Sequence, residues 1–411
     1  MKILVIHADC IKINSSANLC HIAYIKGLVD SGHEVTLINA DAGMNIIDPS
    51  IQIPAEVKIC TYSAVSLYEK LSLSKKGREQ TQSVQPIKEV PIANTTQSGN
   101  SLGGVVRKIK DFVLSLYGPY GIYNTFVNKA QKYISDEEYD YVISLSTPPA
   151  SHLLAYKLLH KKRINAKTWI QIWEDPWYTC FHELNKNKKI YNAEYKLLSH
   201  GLKICYVSPL TLKNQQNAFP EFAQKMYWQP LPHYYKNDAP SEKIFNKNSY
   251  GYFGDYDPET RNLEPFYLAA KDANIEVNIC GNPTNLFSST DKIHVYPRLK
   301  LDQLKHLEDN TNVLIFLANR IGGQIPGKIY QYSATNKIVL FILDGTEEEK
   351  EVLTTFFKPY NRYVFCENNV DDITRAIKKI EENDLDDIVI KPLDDFDPKI
   401  IIQNILEGKR N

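Results

Sequence analysis

Residues 322–328, GGQIPGK, precede a short predicted helix and an apolar predicted strand. Glycines leave backbone N–H groups accessible, and a helix N-terminus carries partial positive charge, so this loop suits an anion such as a phosphate. Lys328 would add a full positive charge in the first turn of the helix. An ordinary connection between two elements has a similar composition, and these residues alone do not separate the two interpretations.

A second group of chemically capable residues follows the apolar run KTWIQIW, where Glu174 and Asp175 stand side by side in WEDPW. Adjacent carboxylates can polarise a hydroxyl group or stabilise a developing positive charge. Asp175 precedes a proline, so a turn or a cap is the alternative interpretation. Trp173 and Trp177 could form a wall for a sugar ring, although aromatic residues beside a strand end also serve as core.

A third group stands at the predicted start of the first helix. Ser15, Ser16 and Asn18 could contact a phosphate or an acceptor there, and a plain N-cap is the alternative. The histidines at 7, 21 and 182 lack the spacing of metal ligands and are interpreted as structural. The letters DYD at 255–257 resemble a metal motif but follow a glycine turn, so no metal site is predicted.

These groups require a framework of alternating strands and helices. KILVIHA predicts a strand, the apolar spacing after Ser15 predicts a helix that ends at Gly32, and HEVTLIN predicts the next strand. The runs YDYVISLS, KTWIQIW and KICYVS continue the alternation. Such a pattern is typical of an α/β fold with a mostly parallel sheet and helices on both faces.

A second α/β set of similar size begins near Ser249, after a proline-containing polar segment at 229–249 that predicts a linker. The last helix is predicted from Asp397 as its cap to Gly408 as its end. The expected organisation is an acceptor-binding domain at 1–235, a nucleotide-sugar-binding domain at 236–395 and a C-terminal helix at 396–411, roles that depend on the resemblance described below.

Residues 71–102 are polar and nearly free of aromatic side chains, which predicts a mobile surface loop. Residues 105–117 follow with an apolar and a basic helical face. Such a helix can lie on an anionic membrane surface or pack its apolar face on the domain, and the sequence leaves both alternatives open.

Composition sets the broad class. The chain has 411 residues, 48 basic and 48 acidic, which favours two domains and gives no sign of nucleic acid as a partner. Its seven cysteines include no CxxC pair, so neither a disulfide framework nor a structural zinc site is expected. The apolar run at 3–6 is too short for a signal-peptide core, and we expect a cytoplasmic protein, peripheral at most at the inner face of the membrane.

The segment GGQIPGKIYQYSATNKIVLF resembles the donor-site segment of GT-B glycosyltransferases, especially the GT4-like enzymes of bacterial capsule and O-antigen assembly. ISLSTPPASHLLA, WIQIWEDPWY, GYFGDYDPETRN and NICGNP are similar to further segments of that family, in the same order. The resemblance implies two Rossmann-like domains facing a cleft. It also implies a nucleotide-sugar substrate with neither a cofactor nor a bound metal.

The same resemblance implies roles for individual residues. Glu174 and Asp175 would be catalytic, with Ser15, Ser16, Asn18 and Trp177 on the acceptor side. The donor would be held by Lys328, Arg261, Gly254, Gly281, Gly323, Pro326 and Gln331. Many relatives carry glutamates eight residues apart where this sequence has Gly323 and Gln331, and this departure places the sugar contact in doubt.

The expected activity is therefore transfer of a sugar, with retention of configuration, from a nucleotide-sugar to a glycan acceptor linked to a lipid, in surface-polysaccharide synthesis. Two alternatives stay open. One is a nucleotide-sugar 2-epimerase of the same fold, which needs no acceptor. The other is a catalytically silent partner subunit, suggested by the missing glutamate at position 323.

Overall fold

The computed structural model describes residues 1–43, 45–65, 118–180, 187–236 and 248–409. The predicted loop at 71–102, the predicted helix at 105–117 and His182 lie outside these residues.

The first part of the chain forms a seven-stranded parallel sheet. Its strands, in chain order, are β1 Lys2–His7, β2 Glu34–Ala40, β3 Lys58–Tyr62, β4 Glu138–Ser146, β5 Asn165–Trp173, β6 Lys203–Tyr206 and β7 Met226–Trp228. The order across the sheet is β3-β2-β1-β4-β5-β6-β7. The helices of this part are α1 Ser16–Asp30, α2 Asn124–Ala130, α3 Ala150–His160, α4 Lys188–His200 and α5 Pro209–Ala218, with short 3-10 turns at Gly118–Tyr123 and Pro220–Lys225.

The second part forms a six-stranded parallel sheet. Its strands are β8 Ser249–Phe253, β9 Glu276–Cys280, β10 Ile293–Tyr296, β11 Val313–Leu317, β12 Ile338–Leu343 and β13 Tyr363–Glu367, in the order β10-β9-β8-β11-β12-β13. Its helices are α6 Glu264–Asp272, α7 Leu301–Asp309, α8 Lys328–Ser333, α9 Glu347–Phe357 and α10 Val370–Glu381. A 3-10 turn at Lys358–Tyr360 and a last helix, α11 Pro398–Glu407, complete the described chain.

Local sequence signals account for the ends of the first and last helices. The Ser15 side chain accepts a hydrogen bond from the backbone of Asn18, as an N-cap does, and Asp397 caps α11 in the same way. Gly408 ends α11 at φ 72°, in the left-handed region that favours glycine. These elements and the α/β class are confirmed as predicted.

The last helix returns to the first part of the chain and packs on α1. A Cβ atom at Gly27 of α1 would lie 2.6 Å from the backbone carbonyl carbon of Pro398, so only glycine permits this approach. At the other end of α11, the Tyr227 hydroxyl donates to the carbonyl of Ile405 at 2.8 Å, and Gln229 Nε2 donates to the carbonyl of Lys409 at 2.8 Å. The first sheet thus helps to satisfy carbonyls at the C-terminal end of the helix.

One apolar cluster runs through both parts of the chain. It joins Tyr24 and Leu28 of α1, Tyr330 of α8, Phe341 of β12 and Ile402 of α11, all of them buried. The two sheets are therefore held by shared apolar burial as well as by the connecting chain.

No helix among the described residues has the length and apolar character needed to cross a membrane.

We predict that Gly27→Ala destabilises the protein by about 1–3 kcal/mol, although alanine is the better helix former, because the added methyl group forces α1 and α11 apart. Urea unfolding monitored by circular dichroism measures the change. The neighbouring exposed substitution Lys26→Ala is the control and should change stability by less than about 0.5 kcal/mol. A stabilised Gly27→Ala variant would contradict the close approach of the two helices.

Candidate functional site

Two of the predicted loops meet directly between the sheets. Gln324 Nε2 donates to Asp175 Oδ1 at 2.8 Å. Gln324 belongs to residues 322–327, the Gly/Pro loop, which follows β11. The Ser208 hydroxyl, at the start of α5, donates to the carbonyl of Gly323 at 2.6 Å. Both loops follow the carboxyl ends of parallel strands, where ligands of such sheets bind. The structure therefore places Asp175 and the loop at 322–327 at one cleft.

The conformation of the Gly/Pro loop explains its glycines. Gly322 and Gly323 have φ values of 104° and 68°, which disfavour any residue with a side chain. A Cβ at Gly327 would lie 3.2 Å from Leu231 Cδ1 and 3.6 Å from the hydroxyl oxygen of Ser16. The start of α1 thus faces the start of α8, as the sequence predictions for Ser16 and the loop require.

Lys328 opens α8, but its charge already has a partner. The ammonium group lies 2.9 Å from Glu308 Oε1, and the side chain of Glu308 is 8% exposed. The hydroxyl of Tyr235 also donates to this carboxylate. An incoming phosphate would compete with Glu308 for Lys328, a partner that sequence reasoning missed because the two residues are 20 positions apart.

Arg261 lies in the loop after β8. Its Nε and Nη2 atoms donate to the side-chain oxygen of Asn319 at 3.1 and 2.7 Å, and Nη1 donates to the backbone carbonyl of Asp255 at 3.2 Å. The side chain of Asp255 pairs with Arg298, a second arginine that the sequence analysis did not single out. The two arginines thus share one aspartate beyond the strand ends.

Gly254 and Gly281 make the two turns of this part touch. A Cβ at Gly281 would lie 2.6 Å from the carbonyl carbon of Gly254, so a side chain there would push the turns apart. The aspartates of the DYD motif stabilise these turns. Asp255 accepts from the backbone N–H of Asn282 at 3.0 Å, and Asp257 accepts from the backbone N–H groups of Thr260 and Glu259. In the described part of the chain, no three or more His, Cys, Asp or Glu side chains are grouped to hold a metal ion.

The side chain of Gln331 is hydrogen-bonded to the protein backbone. Its Oε1 accepts from the backbone N–H groups of Tyr234 and Tyr235 at 2.9 and 3.2 Å, and its Nε2 donates to the carbonyl of Tyr235 at 2.7 Å. The side chain therefore fastens the chain that leaves the first sheet. The donor contact that the resemblance implies for Gln331 would require these bonds to be exchanged.

The neighbouring carboxyl groups after β5 face different surroundings. Asp175 is exposed and accepts from the Thr147 hydroxyl at 3.2 Å as well as from Gln324. Glu174 is only 8% exposed, with Oε1 3.2 Å from Nε2 of the fully buried His21. Burial, followed by the nearby Asp175, raises the pKa of Glu174 well above its ordinary value. Of the two predicted catalytic residues, only Asp175 reaches the cleft.

The remaining acceptor-side residues have structural contacts. Asn18 is buried and donates through Nδ2 to the carbonyls of Cys10 and Ile13 at 3.0 and 2.8 Å, which shapes the loop after β1. Trp177 packs on Tyr120 with ring centroids 4.9 Å apart. Pro326, which was predicted on the donor side, is half-buried in the Gly/Pro loop.

Glu194 of α4, a residue that sequence reasoning missed, hydrogen-bonds to the segment that carries Asp175. Glu194 is fully buried, and its Oε2 accepts from the backbone of Tyr178 at 2.6 Å. Burial raises the pKa of Glu194 to about 7, although hydrogen bonds from Tyr178 and Gln215 act in the opposite direction. The segment is thus held by a carboxyl group that changes charge near neutral pH.

The sequence matches no protein-family model and no curated protein. Solved structures share its fold. A solved E. coli structure, described as "Trehalose-6-phosphate from E. coli bound with UDP-2-fluoro glucose", aligns with a TM-score of 0.56 at 8% identity. The alignment covers 99% of this chain and 98% of that chain. Sucrose-phosphate synthase from Thermosynechococcus elongatus aligns with a TM-score of 0.51 at 11% identity, over 100% of this chain and 94% of its own. The predicted GT-B class, two Rossmann-like domains with parallel sheets, is confirmed; the GT4-like subfamily stays a prediction.

We predict that Glu194→Gln changes how stability depends on pH. Since the pKa of Glu194 is raised in the folded protein, the folded state binds the extra proton below pH 7, and the wild type loses stability as pH rises through about 5 to 7. The neutral amide keeps an acceptor for Tyr178 and has no charge to bury. The melting temperature of the variant relative to wild type should therefore rise between about pH 5 and pH 7 and level off above that range. A pH-independent difference would contradict the raised pKa of Glu194.

Proposed function

We propose that this chain is a glycosyltransferase that moves a hexosyl group from a nucleotide-diphosphate sugar to a glycan acceptor, without a bound metal and with retention of configuration. The observation that carries the proposal is the contact of Asp175 with Gln324, because it joins the loop suited to a phosphate to a carboxylate in one cleft. We further propose a GT4-like enzyme of surface-polysaccharide synthesis. In this proposal the acceptor is lipid-linked and presented at the inner face of the cytoplasmic membrane, with residues 105–117 as the membrane contact.

The donor side of the proposal rests on the cations beyond the second sheet. Lys328, Arg261 and Arg298 would lie around the diphosphate, where positive charge offsets the charge that grows on the leaving nucleotide. The backbone N–H groups of the loop at 322–327 would add neutral donors. The similar E. coli protein is bound with UDP-2-fluoro glucose, which supports a nucleotide-sugar as the donor class.

The acceptor side of the proposal rests on Asp175. Its carboxylate is exposed, follows a strand end and is oriented by Thr147 and Gln324. In that position it can accept a hydrogen bond from the acceptor hydroxyl or stabilise positive charge at the reacting carbon. Gly323 supplies only backbone groups, whereas the side chain of Gln324 donates a hydrogen bond to this carboxylate at 2.8 Å. We propose that it contacts the transferred sugar.

The first test is a screen of nucleoside diphosphates and nucleotide-sugars by thermal unfolding, because a ligand at 100 times its dissociation constant adds about 2.7 kcal/mol of stability. The contribution of Lys328 is measured by comparing Glu308→Gln with the double variant Glu308→Gln/Lys328→Ala. Both lack the charge of Glu308, so neither leaves an unpaired buried carboxylate. We predict that the double variant binds the selected nucleotide about 1.5 to 3 kcal/mol more weakly, the range of a hydrogen bond to a charged group.

Equal affinities would remove Lys328 from the phosphate site. Failure of every nucleotide to bind would favour a silent partner subunit. Interconversion of a nucleotide-sugar without any acceptor would instead establish the epimerase alternative.

We predict that Asp175→Asn lowers turnover by about 10² to 10⁴ at nearly constant donor affinity, because the lost charge matters most as positive charge develops. Asparagine retains an oxygen that can accept from Gln324, so the contact between the loops survives. Initial rates with the donor found in the screen, together with calorimetry of donor binding, provide the measurement. Thr147→Val is the matched control, since it removes one hydrogen bond to Asp175 and leaves the carboxylate in place. Near-normal turnover of Asp175→Asn would exclude Asp175 from the reacting centre.

A further inference from the structure

Glu174 and His21 form a buried polar pair next to the cleft. His21 belongs to α1 and has no exposed surface, whereas Glu174 follows β5 and is 8% exposed. Nε2 of His21 and Oε1 of Glu174 lie 3.2 Å apart, within hydrogen-bonding distance. Apart from this approach, neither atom has a hydrogen-bond partner among the described residues. A buried polar atom without a partner is costly, so Nε2 of His21 and Oε1 of Glu174 each depend on the other. The His21 ring also interacts with the backbone of Ser146.

The surroundings favour an uncharged pair. Burial lowers the pKa of His21 to about 3 and raises that of Glu174 well above its ordinary value. The titratable groups that face the pair lie on four elements: Asp9 and His7 at the end of β1, Cys20 and Tyr24 on α1, His152 on α3 and Asp175 on the loop after β5. No lysine or arginine is among them, so nothing in this set stabilises a negative charge on Glu174. A buried ion pair would in addition cost the desolvation of both charges.

The pair joins elements that carry the candidate site. On one side, α1 begins with Ser16, which faces Gly327 and the Gly/Pro loop. On the other side, Glu174 precedes Asp175, and its backbone N–H donates to the carbonyl of Ser146 at the end of β4 at 3.1 Å. A hydrogen bond between Glu174 and His21 thereby ties α1 to the ends of β4 and β5, next to the exposed carboxylate.

We propose that the carboxyl group of Glu174 and the ring of His21 share one neutral hydrogen bond that positions Asp175. Glu174 is then a positioning residue, and Asp175 alone of the two carboxyl groups touches the substrate. A protonated carboxyl group can donate to the unprotonated Nε2 of a neutral imidazole, so one hydrogen bond joins the two groups without any charge. The role given to Asp175 rests on the proposed function, whereas the hydrogen bond and the placement of the loop do not.

Two variants separate a neutral hydrogen bond from a catalytic or charged role. Glu174→Gln keeps a donor and an acceptor and removes the ability to ionise, whereas Glu174→Leu keeps similar bulk and removes both. With the donor from the screen, Glu174→Gln should retain turnover within about threefold and keep the pH profile of the wild type. Glu174→Leu should lose about tenfold to a hundredfold in kcat at constant donor KM, as a displaced catalytic group does. Equal losses in both variants would overturn the proposal.

A second measurement does not depend on catalysis. Nuclear magnetic resonance of the full-length protein, labelled in histidine and aspartate, reports the protonation of His21 and the side-chain ¹³C signal of Asp175. We expect a neutral His21 from pH 5 to pH 8 in the wild type and in Glu174→Gln, with the Asp175 signal unmoved by that substitution. Glu174→Leu should move the Asp175 signal. If that variant does not fold, His21→Phe, which keeps a ring of similar shape without a polar atom, should move the signal in the same way.

A charged His21 in this range, or an Asp175 signal that stays unmoved in the folded variant lacking the hydrogen bond, would overturn the proposal. If the resonances behave as expected but no nucleotide-sugar is bound or turned over, the proposed function fails and the positioning of Asp175 by Glu174 stands.

Discussion

The placement of the cleft depends on the return of the last helix onto the first. α11 follows the second sheet in the chain but packs on α1 of the first part, at a contact that only Gly27 permits. The apolar cluster that includes α1, α8 and α11 then fixes both sheets against one another. Because the loops that meet at the cleft come from opposite sheets, a contact such as that of Asp175 with Gln324 exists only where this burial sets the distance between the sheets.

Electrostatic pairing is the second organising feature. Each of the three cations proposed to hold the donor has a partner: Glu308 for Lys328, Asp255 for Arg298 and Asn319 for Arg261. These partners stabilise cations that the fold brings near one another. The chain has equal numbers of acidic and basic residues, 48 of each, which is consistent with such pairing. An anionic ligand that contacts Lys328 or Arg298 competes with a carboxylate. Its affinity therefore reflects the difference between two sets of interactions and not the attraction of free cations.

Most of the framework could be predicted from the sequence because parallel strands buried on both faces are continuous apolar runs. The strand β3 was missed, since its residues in KICTY are half-exposed or exposed at a sheet edge and show no such run. The helix α9 was missed despite a usable signal, the capping box formed by Thr346 and Glu349. The contact of Asp175 with Gln324 spans 149 positions, and no local pattern in one sequence encodes such a pairing.

The pair of carboxyl groups in WEDPW shows how far local rules reach into the site. Glu174 and Asp175 follow the end of β5 in a bend of the chain, and only Asp175 is exposed at the cleft. The other residue must enter the interior, where a charged carboxylate would be too costly without a cation. Protonation and a histidine at hydrogen-bonding distance resolve that cost for Glu174, and they do so beside the residue that faces the cleft. The sequence indicates that two acids are present at the strand end, but only the fold, which brings His21 of α1 beneath β5, determines which of them remains uncharged.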